Sequence, residues 1–313
     1  MDDSEALLFA GVDFGGTAAK IGIVDQRGAL LARSRLELDP RQSYDEIFSA
    51  VSGRIRQMGE AGGLRLSAIG VGAPGFIDRE EGRVLQGSEN LPAFKGRSLT
   101  AHLASALRLP VFADNDGNCA AAGELKFGAG RQLSHFAMVT LGAGVGGALV
   151  IDGRVHRGSR GRAGELGHMC LDPDGPPCSC GSRGCLEQYA SAPAIVAAYI
   201  RRRAEPSGTS LSPKEIFERA DEGEAAAVGV VEEVARRLAQ AFGTLVNLMD
   251  LQALIVGGGI SAAGEQLLEP LRRHLSDFAW PLPLRGVQVL TAALQNDAGI
   301  LGAAAQAWER MGE

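Results

Sequence analysis

Two copies of one glycine-turn hairpin constrain the fold of this 313-residue chain more than any other feature. In the first copy, an apolar run over 7–12 leads into Asp13-Phe14-Gly15-Gly16-Thr17, and the chain then resumes as a second strand. In the second copy, the run 136–141 meets Gly142-Ala143-Gly144 and continues as a strand over 147–151. A strand–turn–strand unit that recurs in both halves predicts a duplicated architecture, with each copy opening one domain.

Strand-like and helix-like segments alternate through both halves of the sequence. Further short apolar runs predict strands at 66–72, 110–113, 253–256 and 286–290. Apolar residues at helical spacing predict helices at 44–58, 99–107, 118–127, 192–203, 225–249, 264–275 and 298–310. This mixture is typical of an α/β protein. Because the length exceeds what one hydrophobic core usually serves, we expect two domains.

The first glycine turn has the features of a phosphate-binding loop. Gly15 and Gly16 let the backbone approach a ligand closely, and successive free N–H groups, with the Thr17 hydroxyl, can cradle an anion. Lys20 can reach a phosphate oxygen, and Asp13 can orient a Mg²⁺ ion, usually through its waters. A plain β-turn that needs glycine for its geometry is the alternative at this point.

The second glycine turn is better explained by phosphate binding than by a dinucleotide fingerprint. Residues 142–147 formally match G-x-G-x-x-G, but that fingerprint requires a helix after the turn, and residues 148–153 predict a strand and another turn. No Walker A sequence is present either. Two phosphate-cradling hairpins, the second built on Gly142-Ala143-Gly144, account for the pattern. At Gly257-Gly258-Gly259 the missing side chains would let an adenine ring lie flat against the chain.

Composition and charge exclude several classes of protein. A net charge of -6 argues against a nucleic-acid partner, and no apolar run reaches the roughly 18 residues needed to span a bilayer. The acidic N-terminus lacks the positive start of a signal peptide, so we expect a cytoplasmic protein with reduced thiols. Three of the five cysteines lie within 178–185, which favours metal binding over disulfides.

An acidic cluster, Asp114-Asn115-Asp116, follows a predicted strand and precedes an alanine-rich helix. Asp116 in this position can be a helix N-cap. Phosphoryl transfer to an alcohol, however, needs a carboxylate that accepts the hydroxyl proton, and a helix N-terminus favours the ionised form of a carboxylate. The two roles are compatible, so both stay open here.

These motifs, in this order, resemble the ROK family (repressors, open reading frames and sugar kinases) of the actin-like ATPase superfamily over nearly the whole chain. The resemblance also draws on Gly164-Glu165-Leu166-Gly167-His168, on Cys178-Ser179-Cys180-Gly181 and on Gly184-Cys185-Leu186-Glu187. One departure is Ala143, where the family usually carries threonine. The lost hydroxyl should weaken one phosphate contact and leave the backbone cradle in place.

The resemblance implies a two-domain actin-like ATPase fold, a duplicated ribonuclease H-like architecture with an active-site cleft between the domains. We expect a small α/β domain over 1–116, rejoined by a C-terminal helix over 298–313. The large domain would then cover 117–297 and hold the cysteine-rich loop and the nucleotide site. The family also implies a dimer, sometimes a tetramer.

The resemblance further implies roles for individual residues. Asp116 would be the general base, and the residues implied at the sugar site are Asn90, Asn115, Asp116, Glu165, His168 and Glu187. Structural Zn²⁺ would be held by His168, Cys178, Cys180 and Cys185, a closed tetrahedral set. Reduced structural cysteines or an adventitious disulfide are the alternatives for the thiols. Glu187 can instead be the first-turn acid of the helix that follows.

The activity implied is ATP-dependent phosphorylation of a hexose. Within the family the chain most resembles bacterial glucokinases, partly through residues 126–130 and 172–176, which implies conversion of glucose to glucose 6-phosphate. N-acetylmannosamine, N-acetylglucosamine, mannose, fructose and allose stay open as substrates, as does polyphosphate as the donor. A sugar-responsive repressor is disfavoured because Asp13 leaves no room for a preceding DNA-binding motif, and a non-catalytic sugar-binding module is disfavoured by Asp13, Lys20 and Asp116.

Overall fold

The computed structural model describes residues 7–39, 41–88, 91–203 and 211–312. Its strands are β1 (Leu8–Phe14), β2 (Ala18–Asp25), β3 (Leu30–Glu37), β4 (Leu66–Ala73), β5 (Phe76–Asp78), β6 (Arg83–Gln86), β7 (Val111–Asn115), β8 (Phe136–Leu141), β9 (Val145–Ile151), β10 (Arg154–Val155), β11 (Ala253–Gly257) and β12 (Gln288–Thr291). Its α-helices are α1 (Tyr44–Gly62), α2 (Ala101–Leu107), α3 (Asp116–Phe127), α4 (Glu187–Ala190), α5 (Ala192–Arg203), α6 (Pro213–Asp221), α7 (Ala225–Met249), α8 (Glu265–Leu275), α9 (Pro281–Leu284) and α10 (Ala298–Met311). The predicted α/β character is confirmed.

A first compact unit is formed by residues within 1–131, 157–163 and 296–313. Its sheet has the order β3-β2-β1-β4-β7, in which β1 is antiparallel to β2 and parallel to β4. Helix α10 packs against this sheet at close range. A β-carbon on Gly11 or Gly70 would overlap the backbone carbonyls of Ile300 and Ala303 in α10. Glycine at these strand positions therefore sets how near the helix comes to the sheet.

A second compact unit is formed by residues within 132–156 and 164–295. Its sheet has the order β10-β9-β8-β11-β12, with β8 antiparallel to β9 and parallel to β11. The long helix α7 supplies much of the core that covers this sheet. An antiparallel hairpin that continues into parallel strands thus occurs in both units, as the repeated glycine turn predicts.

These units differ from the predicted boundaries, 1–116 and 117–297. The first unit extends to residue 131, because α3 packs along α10 so closely that a β-carbon on Gly302 would overlap the Cys119 carbonyl. Such backbone proximity holds the two helices in one unit. The segment 157–163 also belongs to the first unit. Within the described residues, no helix combines the length and apolar character that crossing a lipid bilayer requires.

Candidate active site

The first glycine turn joins β1 to β2 as a tight, solvent-exposed hairpin end. Gly15 N–H donates to the Ala18 carbonyl oxygen over 2.9 Å. Antiparallel register pairs Asp13 with Lys20 directly across the hairpin, and Lys20 Nζ lies 3.4 Å from Asp13 Oδ2. Because directly paired residues point to the same face of a sheet, one cation and one anion lie together beside the turn.

The Asp13 carboxylate is largely buried, with 15% of its side chain exposed. Burial raises the pKa of Asp13, and Lys20 opposes this through its charge and its hydrogen bond. Lys20 Nζ also donates to the Asn296 carbonyl oxygen over 3.2 Å, which holds its ammonium group near the start of α10. A poorly solvated carboxylate with only a long contact to a lysine fits the orientation of a hydrated Mg²⁺ ion.

The β7–α3 junction carries the acidic cluster, and its cap differs from the predicted alternative. Asn115, not Asp116, is the N-cap of α3: its Oδ1 accepts from the N–H groups of Gly117 (2.8 Å) and Asn118 (3.1 Å). Asp116 becomes the first helical residue, and its Oδ1 accepts from Gly117 N–H at 2.9 Å. Both residue types cap helices well, so the pattern alone does not separate neighbouring positions.

The side-chain amide of Asn115 also donates a hydrogen bond. Its Nδ2 donates to the Gly75 carbonyl oxygen over 3.1 Å, which ties the turn after β4 to the start of α3. Since Oδ1 caps the helix, the second Nδ2 hydrogen is the group that remains to meet a ligand. Asn90, the other amide predicted at the sugar site, lies outside the described residues.

Asp114 is the buried centre of this junction, with 3% of its side chain exposed. Its Oδ2 accepts from Arg157 Nε at 2.7 Å and lies 3.2 Å from Arg79 Nε. Neither arginine is distinguished by the sequence pattern, because 157 and 79 lie far from 114 along the chain. The Cys119 thiol nearby is fully buried. Its pKa is raised well above the ordinary value, mainly by burial and further by the negative charges of Asp114, Asp13 and Asp116. Cys119 is therefore a packing residue and not a reactive thiol.

The second glycine turn joins β8 to β9, and Gly142 N–H donates to the Gly144 carbonyl oxygen over 2.9 Å. Glu187 closes over this turn. Its Oε2 accepts from Val145 N–H at 3.0 Å, and a β-carbon on Gly144 would lie 2.6 Å from that oxygen. Glu187 is also the first residue of α4. It is thus a first-turn acid and, at the same time, a side chain held at the glycine turn.

The third glycine cluster combines a packed and an open position. Gly258 has φ of +81°, and a β-carbon there would overlap the Leu141 backbone. The fold therefore requires glycine at this position, whether or not a ligand binds. A β-carbon on Gly259 would meet nothing within 4 Å. Of the three glycines, only the last therefore presents open space of the kind that a planar ring needs.

The cysteine-rich loop brings together the predicted metal ligands. One ligand atom from each of His168, Cys178, Cys180 and Cys185 lies within 4.8 Å of the others, with 3.7 Å between the sulfurs of Cys180 and Cys185. A tetrahedral zinc with Zn–S bonds of about 2.3 Å places its sulfurs roughly 3.8 Å apart. His168 turns Nδ1 toward Cys178 Sγ, 3.6 Å away. The donor set therefore fits a closed zinc site.

The thiols of this loop differ in acidity. Burial raises the pKa of Cys178, but hydrogen bonds from Cys180 and His168 outweigh it and lower the value to about 7. Burial and the neighbouring thiols raise the pKa of Cys185 to about 12. One sulfur of the set is thus ready to bind a cation, and a cation must displace the proton from another.

Glu165 lies near the metal ligands and near Glu187. Partial burial raises its pKa, His168 opposes the rise, and the charge of Glu187 adds to it. Electrostatic coupling of this kind requires the three side chains to be close together. The second unit therefore gathers Glu165, His168 and Glu187, while the first unit gathers Asp13, Lys20, Asn115 and Asp116.

The chain is similar to known sugar kinases over nearly its whole length. The chain is 36% identical to a glucokinase of Thermotoga maritima over 98% of this chain and 99% of that protein. It is 32% identical to an N-acetyl-D-glucosamine kinase of Escherichia coli O127:H6 over 95% and 98% of the two chains. The structure matches a ROK family glucokinase of Streptomyces griseus solved with glucose and AMPPNP, with a TM-score of 0.83, 35% identity and coverage of 96% and 99%. The sequence profile of the ROK family matches residues 9–310, so the chain belongs to the ROK family.

Proposed function

We propose that this protein is an ATP-dependent sugar kinase that converts glucose to glucose 6-phosphate. The observation that carries the proposal is Asp116 at the first position of α3, one residue after the Asn115 cap. Full-length similarity to proteins named glucokinase supports the choice of sugar. The chain carries both glycine hairpins in addition to Asp116. It therefore has segments that can bind the phosphates and a carboxylate that can accept the proton of the sugar hydroxyl.

Asp116 is the proposed general base. As the sugar hydroxyl oxygen bonds to the γ-phosphorus, the bond between that phosphorus and the departing ADP oxygen breaks, and the hydroxyl proton passes to the carboxylate. A position in the first turn of α3 favours negative charge on this side chain. The fixed helix start also limits where the carboxylate can lie, which is the geometric requirement for in-line transfer.

The two glycine turns are the proposed phosphate-binding segments of the chain. Backbone N–H groups around Gly15-Gly16-Thr17 and Gly142-Ala143-Gly144, with Lys20, would meet the phosphate oxygens. Mg²⁺, when bound, would neutralise charge that builds up on the transferring phosphoryl group, and Asp13 would orient its waters. The open face at Gly259, beside Gly257 and Gly258, is the proposed support for the adenine ring.

The cysteine-rich loop is proposed to hold the sugar-binding side chains in place. Zinc bound to His168, Cys178, Cys180 and Cys185 would be structural, since four protein ligands leave no open position. With Nδ1 of His168 on the metal, its Nε2–H can donate to a sugar hydroxyl. Glu165, Glu187 and Asp116 can each accept from sugar hydroxyls, and the second Nδ2 hydrogen of Asn115 can donate to one.

N-acetylglucosamine is the second candidate substrate, favoured by the 32% identical kinase for that sugar. The other hexoses and polyphosphate stay as alternatives, because one hydroxyl or one acetyl group is distinguished by pocket shape. We further propose a cytoplasmic homodimer: the cytoplasm supplies ATP and keeps the thiolates reduced.

A coupled assay of ADP release tests the function. Glucose, mannose, fructose, allose, N-acetylglucosamine and N-acetylmannosamine are compared at equal concentrations with MgATP, and then with polyphosphate as donor. We expect glucose to give the highest kcat/KM, with mass-spectrometric detection of its 6-phosphate. A preference for an N-acetylated sugar would select the second candidate, and turnover of none of these sugars would overturn the kinase proposal.

A further inference from the structure

The Asp114 carboxylate holds two separate parts of the chain from one buried position. Its Oδ1 accepts from Asn115 N–H at 2.8 Å and from Asn118 Nδ2 at 2.9 Å, both at the start of α3. Its Oδ2 accepts from Arg157 Nε at 2.7 Å. The donors to Oδ1 belong to the cap of α3 and to the helical turn that carries Asp116.

Arg157 stands at the base of a closed loop. The Arg157 carbonyl oxygen accepts from Ala163 N–H at 3.0 Å, so the ends of segment 157–163 are joined. Gly158 and Gly161 have φ of +71° and +69°, a conformation that permits such a short closure. The loop leads directly into Gly164-Glu165 along the sequence, and only 19% of the Arg157 side chain is exposed.

Gln306 completes the contact from helix α10. With its amide oriented to satisfy both neighbours, it donates to Asp114 Oδ2 over 3.0 Å and accepts from Arg157 over 3.3 Å. Arg79 adds a second guanidinium near the same oxygen. A buried carboxylate with this many charge-assisted partners has one preferred position. Removing a partner would let both the α3 cap and the loop shift.

We propose that Arg157 and Asp114 are positioning residues for phosphoryl transfer, which fix the N-terminal turn of α3 and hence the Asp116 carboxylate. This inference rests on the proposed function for its catalytic consequence, although the structural claim is independent of it. A displacement of about 1 Å in a catalytic group can lower a rate roughly 100-fold. The contacts described above for this network join α3, α10, Arg79 and segment 157–163 and do not include the glycine turns, so we expect nucleotide binding to be retained when the network is weakened.

The experiment compares Arg157→Met and Arg157→Lys with Arg35→Met. Arg35 also contacts a carboxylate, Glu37, but this pair is exposed on β3 and serves as the matched control. We expect Arg157→Met to lower kcat about 100-fold and to raise the KM for glucose, while MgATP still stabilises the protein against heating. Arg157→Lys should restore part of kcat, because an ammonium keeps the charge but offers no fork.

Hydrogen–deuterium exchange of the peptide spanning β7 and the first turn of α3 supplies a readout that needs no activity. Faster exchange at Gly117 and Asn118 in Arg157→Met, with the later turns of α3 protected, would support the inference. Unchanged exchange there, or unchanged kcat in folded protein, would overturn it, whereas failure of the unmodified protein to phosphorylate any sugar would overturn the proposed function alone. Gln306→Met perturbs the same contact more mildly, and it decides the question if Arg157→Met does not fold.

Discussion

Gly299 lies against the carboxylate of Asp13, so closely that a β-carbon at position 299 would come within 2.5 to 2.8 Å of its three carboxyl atoms. Gly299 is the second residue of α10, and a helix N-terminus favours a neighbouring anion. The last helix of the chain therefore borders the first glycine hairpin, and it limits where the proposed Mg²⁺-orienting carboxylate can go.

Gly299→Ala tests this contact. The added methyl group should push Asp13 aside, which we expect to lower kcat/KM for MgATP about 100-fold and to weaken the Mg²⁺-dependent thermal stabilisation by ATP. The control is Gly53→Ala on the exposed face of α1, where a β-carbon meets nothing within 4 Å. That change should stabilise the fold by about 0.5–1 kcal/mol and leave turnover intact. Normal use of MgATP by Gly299→Ala would contradict the proposed role of Asp13.

The difference in stability between Asp13→Asn and the unmodified protein should depend on pH in a defined direction. Burial raises the pKa of Asp13 in the folded protein, despite the opposition of Lys20. A raised pKa means that the group's contribution to stability is complete below the ordinary carboxyl pKa and is lost as pH rises through the folded value. The uncharged asparagine should therefore give a higher Tm than aspartate at about pH 7, and this advantage should shrink toward about pH 4.

Glu37→Gln is the control of opposite sign for that measurement. The hydrogen bond from Arg35 lowers the pKa of Glu37, so its contribution exists above the ordinary pKa and is lost as pH falls through the folded value. A glutamine there should lower Tm slightly near neutral pH. If Asp13→Asn instead lowered Tm near neutral pH, the Lys20 ion pair would outweigh burial and the interpretation would be wrong.

Asp116→Asn tests the base. Loss of the proton acceptor should reduce kcat by about 10²–10⁴-fold, while glucose binding, measured by calorimetry, should persist because an amide still bonds hydroxyls. Asp45→Asn is the matched control, since Asp45 also lies in the first turn of a helix, α1. Substantial turnover by Asp116→Asn would exclude Asp116 as the base.

Much of the fold follows from local patterns. The hairpins around residues 15 and 143 were predictable because glycine turns between apolar strands are set by neighbouring residues. Helix α6 was missed, although Ser212 and Glu215 form a capping box with Pro213 at the first helical position, a signal that the sequence does contain. Missing it reflects a short helix of low hydrophobicity, whose apolar period is brief.

The tertiary contacts that position the carboxylates of the candidate site could not be predicted from local patterns. Arg157 and Gly299 lie 43 and 286 positions from the carboxylates that they contact, and one arginine or glycine among many carries no sign of its tertiary neighbour. The N-cap at Asn115 was missed by one residue, since asparagine and aspartate compete equally for that position. The spacing of residues in the sequence thus indicates which chemical groups the site contains, while tertiary packing determines how each group is oriented.

Cys185→Ser tests the proposed zinc site and its link to the sugar. Backbone hydrogen bonds cross the cysteine-rich loop, among them Leu171 N–H to the Gly184 carbonyl oxygen (2.8 Å) and Leu186 N–H to the Met169 carbonyl oxygen (3.0 Å). The side chains of the ligand set have no such backbone restraint, so a bound metal should fix their positions. We expect about one zinc per unmodified chain, loss of zinc in Cys185→Ser, and loss of glucose affinity with it. Cys170→Ser is the control, because the exposed Cys170 lies outside the ligand set.

The same site should respond to pH. Metal binding must displace the proton of Cys185, whose pKa is raised to about 12 in the metal-free loop, whereas Cys178 already ionises near 7. Zinc affinity, measured by competition with a chelator, should therefore increase as pH rises from about 6 to about 8. Full glucose phosphorylation by folded protein that contains essentially no zinc would contradict the assignment, because the loop bearing Glu165, His168 and Glu187 would then be ordered without the metal.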